Sequence, residues 1–189
     1  MSMDGSGAVK GVRMRNVIPI LLVAATAFGV SVVAGQAASP IREILADHFR
    51  LSRIEAHEGQ VTRKGTVLLL EADGIPAKKL RFVQANTKSP RFDVPDYARV
   101  EIRRDGRLTA EPGDMALPTG TRLAVNDLEV DSDRVHVLTH MLEPVRLPDG
   151  RQAHGCTEFV FAFDPGTLQR ADTETVTSPI DQWLSPSAS

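Results

Sequence analysis

Strict alternation of apolar side chains is the pattern that most restricts this chain. Phe159, Phe161 and Phe163 recur at period two, as do Val135, Val137, Thr139 and Met141. Only an extended strand puts residues i, i+2 and i+4 on one face, so both segments predict strands of one antiparallel sheet. The stripe holds three of the chain's seven phenylalanines and reads as core. A base-stacking platform would interleave basic residues, and this strand has none. Upstream, Leu123 and Val125 share one parity while Leu128 and Val130 have the other. For all four to face one core, the strand must absorb an extra residue near Asn126 and Asp127, which predicts a β-bulge there. Asp131-Ser132-Asp133 supplies the following turn.

The flanking chain is punctuated by helix and turn signals. Ser39-Pro40 reads as an N-cap and first-turn proline, and Ile41, Ile44, Leu45, His48 and Phe49 recur at helical spacing, predicting a helix from Pro40 to about Arg50. Val61 and then Thr66 to Leu70 form a β-rich run stopped by Asp73-Gly74, and Leu80 to Val83 a shorter one. Asn86 to Tyr97 reads as a loop around Pro90 and Pro95, and Pro112, Gly113 and Pro118 mark another. Asp105-Gly106 signals a tight hairpin between Val100-Glu101-Ile102 and Arg107-Leu108. A polar loop at Pro148-Asp149-Gly150 precedes the phenylalanine strand. Thr173 to Leu184 predicts a closing helix, with Pro179 kinking it or starting its last turns after Ser178. The fold class is therefore mostly β or α+β: a small antiparallel barrel or sandwich flanked by an N-terminal and a C-terminal helix. Residues 38–185 form a single β-rich domain and 186–189 a disordered tail. No internal repeat points to a solenoid or propeller.

The N-terminus predicts export. Lys10, Arg13 and Arg15 precede 26 consecutive uncharged residues between Arg15 and Arg42. A basic start, an apolar stretch and the small residues of Ala34-Gly35-Gln36-Ala37-Ala38 have the layout of a secretory signal cleaved after Ala37, so that residues 1–37 are removed. The rival is an uncleaved membrane anchor over residues 17–35, since the run approaches the ~20 residues that span a bilayer. Either way the domain lies outside the inner membrane, periplasmic or extracellular.

Charge and cysteine content narrow the function. The net charge of −2 becomes −4 once the basic leader is set aside, which argues against a nucleic-acid surface. One cysteine, Cys156, excludes an internal disulfide and any four-cysteine zinc site. No cofactor or metal is expected. His136 and His140 share a strand face but stand about 13 Å apart at ~3.3 Å per residue, and His154 with Cys156 lacks a third ligand. His48 and His57 read as surface or helix-end groups. Asp127 to Asp133 lacks the glycine and glutamate of an EF-hand and reads as a solvated strand face. Lys78-Lys79-Leu80-Arg81 and Arg103-Arg104 read as charged strand edges. There is no phosphate loop, Gly-x-Ser-x-Gly elbow, His-Glu-x-x-His pair or Cys-x-x-Cys.

Two resemblances follow. Lys64 to Gly74, Gly120 with its two following strands, Thr157 to Phe163 and the closing helix look like a recurring exported bacterial module of uncharacterised function. His154-Gly155-Cys156, with Leu117-Pro118-Thr119-Gly120-Thr121 upstream, resembles the motifs of cysteine L,D-transpeptidases that cross-link peptidoglycan. That resemblance implies Cys156 as nucleophile, a neighbouring imidazole such as His154 as its activator and backbone amides receiving the oxyanion. Thr157-Glu158 depart from it, standing where the family has an apolar residue and an arginine. The leading expectation is a non-catalytic exported domain that binds a protein or envelope component. The alternative is the Cys156 enzyme.

Overall fold

The computed structural model describes residues 40–54, 61–84, 93–170 and 172–187. The leader, its cleavage site and the anchor span lie outside them, as does His57. The described chain is mostly β. Nine strands form one curled, mixed sheet, a half-barrel, with two helices. In chain order the strands are β1 (Val67–Leu70), β2 (Ile75–Lys79), β3 (Ala98–Ile102), β4 (Leu108–Ala110), β5 (Met115–Leu117), β6 (Arg122–Val130), β7 (Arg134–Met141), β8 (Gly155–Ala162) and β9 (Leu184–Pro186). They lie side by side as β9-β1-β6-β7-β8-β2-β5, with β3 also on β8 and β4 on β3. Three short pairs stand apart: Arg53–Ile54 with Val61–Arg63, Phe82–Gln84 with Asp93–Pro95, and Val145–Arg146 with Gln152–Ala153.

The alternation does what its period requires. Val135, Val137, Phe159 and Phe161 of the paired strands β7 and β8 are buried in one core with Leu123, Val125 and Leu128 of β6, and Val130 and Phe163 pack at its margin. The bulge sits where parity places it. Val125 faces Thr139 and Asp127 faces Leu138, so Asn126 is the extra residue between them. Helix α1 (Pro40–His48) adds Ile41 and Leu45, followed by Phe49, and helix α2 (Thr173–Asp181) adds Val176 and Ile180. The Asp172 side chain caps α2 by accepting from the Thr175 amide at 2.8 Å. His48 Nε2 of α1 approaches Asp181 Oδ1 of α2 at 3.4 Å.

Several expectations are corrected. The closing helix ends at Asp181 rather than Leu184, because Leu184–Pro186 leaves it to pair with β1. That strand takes Pro186 out of the disordered tail, and the Ser187 amide donates to Val67 O at 2.8 Å. A strand that the sequence patterns did not place runs through Pro76. Residues Ile75–Lys79 pair on both edges, with β5 and with β8, so Lys78 and Lys79 belong to the sheet rather than to a charged edge. The sheet is not wholly antiparallel: β3 runs parallel to β8 from Thr157 opposite Ala98 to Phe161 opposite Ile102.

That parallel pairing produces a fork. The open edge of β8 bonds to β2 through Gly155 and Cys156, then exchanges it for β3 from Thr157 onward. Where the partners change, the Thr157 hydroxyl donates to Pro76 O at 2.9 Å and supplies a bond the ladder no longer gives. The Asp96-Tyr97 segment leads directly into β3 and so enters the fork beside Cys156.

Candidate functional site

The face of the sheet opposite the core carries most of the chemistry. Cys156 is fully buried, with His140 and Lys78 as its lateral neighbours on β7 and β2. His140, also fully buried, places Nδ1 at 3.4 Å from the Cys156 Sγ. Its ring stacks on that of His154, centroids 5.1 Å apart and planes 19° from parallel. His154 is turned elsewhere: its Nδ1 lies 2.9 Å from Met141 O, and because a carbonyl only accepts, Nδ1 must carry the proton. Thus the structure brings the two motif residues, His154 and Cys156, close in chain but not into direct contact. The imidazole on the thiol is His140.

Gly155 explains why a glycine stands in the motif. An added Cβ would lie 2.8 Å from Ala77 Cβ, 3.0 Å from Met141 Sδ and 3.1 Å from Met115 Sδ. The position faces the packed side of β8, and close packing requires the glycine there.

Burial pushes the Cys156 thiol up to about 12, with the nearby Asp96 charge adding to it. Glu158, two residues along the strand, is not among the causes. Glu158 Oε1 is taken by His136 Nδ1 at 2.7 Å, while His136 Nε2 lies 3.2 Å from Asp131 Oδ2. Asp96 loses solvation at the fork, but hydrogen bonds from Lys78 Nζ at 3.0 Å and from Arg81 Nε and Nη2 at 2.9 and 2.7 Å outweigh that loss. They hold its carboxyl below the usual carboxylate range.

Next to this sealed cluster lies an open groove of about 570 Å³. Leu51, Ile54, Pro95, Tyr97, Asn126 and Leu138 line it. Arg53, Arg63, Asp127 and Glu129 add charges of both signs to its lining. Leu51, 38% exposed, is one of two large apolar side chains left exposed among the described residues; the other is Leu108. Burial raises the Tyr97 phenol above its ordinary value. Its hydroxyl accepts from Asn126 Nδ2 at 3.3 Å, which leaves Asn126 Oδ1 buried with no hydrogen-bond partner among the described residues. The bulge makes this possible: the extra residue, Asn126, and Asp127 both flank Leu138, so an amide reaches a position a regular ladder would give to one side chain. Parity located the bulge from sequence. Nothing in sequence located Tyr97, which arrives through the parallel pairing of β3.

Among the described residues no group of three or more His, Cys, Asp or Glu is placed to hold a metal ion, and no helix is long and apolar enough to cross a membrane. Comparison with known proteins finds no matching family, curated relative or solved structure.

Proposed function

We propose that this protein is an exported, non-catalytic domain that binds a protein or another envelope component through the groove between Leu51 and Tyr97. One observation carries the reading: the nucleophile is sealed while the neighbouring groove is open. Cys156 has no exposed surface and a thiol held protonated by burial, which is the opposite of the accessible, low-pKa thiolate that acyl transfer requires. The groove offers exposed apolar surface at Leu51 beside Ile54, Pro95 and Leu138, a combination that receives an apolar side chain from a partner. The half-barrel is then a scaffold, read as a barrel left open on one side. The leader places it in the periplasm or outside the cell, released by cleavage after Ala37 or held by residues 17–35.

The transpeptidase-like alternative keeps one supporting observation, the thiol–imidazole contact of Cys156 with His140. It requires the Asp96-Tyr97 segment to withdraw and expose that pair.

A photocrosslinker placed at position 51 in the native envelope tests the proposal. The expected result is one partner species captured from position 51, not from position 108, and lost when Leu138→Asp is added. Equal capture from both positions, or none, overturns it. Trapping of Cys156 by a carbapenem-type β-lactam would put the enzyme first.

A further inference from the structure

A second hollow, about 450 Å³ in volume, is lined by Arg50, Lys64 and Arg122 together with Gly65, Thr66 and Ser187. Among the described residues no carboxylate lines it. Arg122 has a counter-ion, Glu143 Oε1 at 2.9 Å, on an exposed part of the surface. Arg50 and Lys64 have no ion-pair partner among the described residues.

The two cations are held together by backbone, not by flexible reach. The chain around Gly65 crosses directly over Arg50 and Leu51: a Cβ on Gly65 would lie 1.9 Å from Arg50 O and 2.6 Å from Leu51 C, so only glycine fits. Three bonds lock the crossing. The Thr66 amide donates to Arg50 O at 2.7 Å, the Arg50 amide donates to Thr66 Oγ1 at 2.9 Å, and the Gly65 amide donates to Ser52 Oγ at 2.8 Å. The same short segment puts Arg53 directly opposite Arg63. Like charges facing each other across a strand pair destabilise it. That pair lines the groove, where Asp127 and Glu129 also stand, and is not part of the hollow. In the hollow itself Arg50 and Lys64 stand together with no carboxylate beside them among the described residues, and an anion would relieve the field they make.

We propose that this hollow binds a phosphate group. Arg50 and Lys64 would donate charge-assisted hydrogen bonds to its oxygens, with Arg122 behind them. The volume exceeds what one small ion fills, leaving room for a substituent on the phosphate. The group belongs to a free phosphate compound or to an anionic lipid headgroup. The site is independent of the groove and of the binding function proposed for it.

The test uses the full chain in a zwitterionic detergent, titrated with inorganic phosphate while the amides of Gly65 and Thr66 are followed by NMR. A parallel arm measures association with phosphatidylcholine vesicles with and without phosphatidylglycerol. Phosphate-dependent shifts at Gly65 and Thr66 support the free compound. Association that rises with phosphatidylglycerol supports the headgroup. In either arm Arg50→Ala with Lys64→Ala should weaken binding roughly tenfold or more, since each truncation removes a hydrogen bond from a charged donor. Arg50→Lys with Lys64→Arg should restore most of it, and Arg146→Ala should change nothing. No response in either arm, or affinity that survives the double alanine variant, overturns the proposal. Circular dichroism on each variant separates loss of binding from loss of fold.

Discussion

His140 Nδ1 rests 3.4 Å from the Cys156 Sγ, and both side chains are fully buried. The pair has the composition of a catalytic dyad and the surroundings of a core contact. Desolvation decides between them, because a thiolate at this position would lack the water that stabilises its charge. Native Cys156 should therefore react slowly with alkylating reagents at neutral pH and rapidly once the chain is unfolded. Fast alkylation of the folded protein, measured by mass spectrometry against time, would show that the fork opens readily.

The same burial makes stability fall on the alkaline side. The unfolded thiol loses its proton near its ordinary value of 9.0, whereas the folded one holds it to about 12. Between these values the folded state binds more protons, so stability is full below the lower value and declines as pH rises toward the upper one. Cys156→Ser should remove this part of the slope in urea unfolding measured across that window. Tyr97, raised in the same direction, should leave a residual slope that Tyr97→Phe abolishes.

Asp96 predicts the opposite limb. Its carboxyl is held low by Lys78 and Arg81 against the cost of desolvation, so its contribution is present above the ordinary carboxylate value and lost as pH falls through the folded one. Asp96→Asn should flatten the acid side of the stability profile. It should also ease alkylation of Cys156 slightly by removing a negative charge near the thiol.

Phe161, 2% exposed in the middle of β8, tests the register of the whole sheet. Phe161→Ala should cost ~3 to 5 kcal/mol, a large part of the ~5 to 15 kcal/mol that holds a domain together. An unchanged thermal midpoint would mean that the residue does not face the core.

Gly155→Ala should destabilise by ~1 to 3 kcal/mol through overpacking. The contact at 2.8 Å is to Ala77 Cβ, whereas the two methionine sulfurs belong to side chains able to yield. Ala77→Gly should therefore recover part of the loss in the double variant, and additivity of the two changes in denaturant unfolding would contradict the packing account.

What was legible in the sequence follows the range of the interactions. Parity along one strand is local, so the β6 bulge, the shared core of β6, β7 and β8, and the Asp105-Gly106 hairpin, with Gly106 at φ +76°, could all be read. Strand β2 was hidden because Pro76 and two lysines argue against a central strand, and only the bond from Thr157 shows how Pro76 O is satisfied there. The sealed site was half legible. Cys156 stood out as the single thiol, but His154, its near neighbour in sequence, bonds Met141 O. The contact falls to His140, which only the β7–β8 register brings opposite. The groove was not legible at all, since Tyr97 and Asn126 meet through a parallel pairing with no local signature.

The pairing of β9 with β1 has a consequence in time. Leu184 sits opposite Leu70, so the strand on that side of β1 arrives from more than a hundred residues later in the chain. Until residues 184–186 have been made, β1 keeps an open edge and the amide of Ser187 cannot reach Val67 O. Closing so long a loop is slow, and a sheet dominated by such pairings assembles late. A chain built this way completes its sheet only once residues 184–186 have emerged, so β1 waits on a strand made long after it.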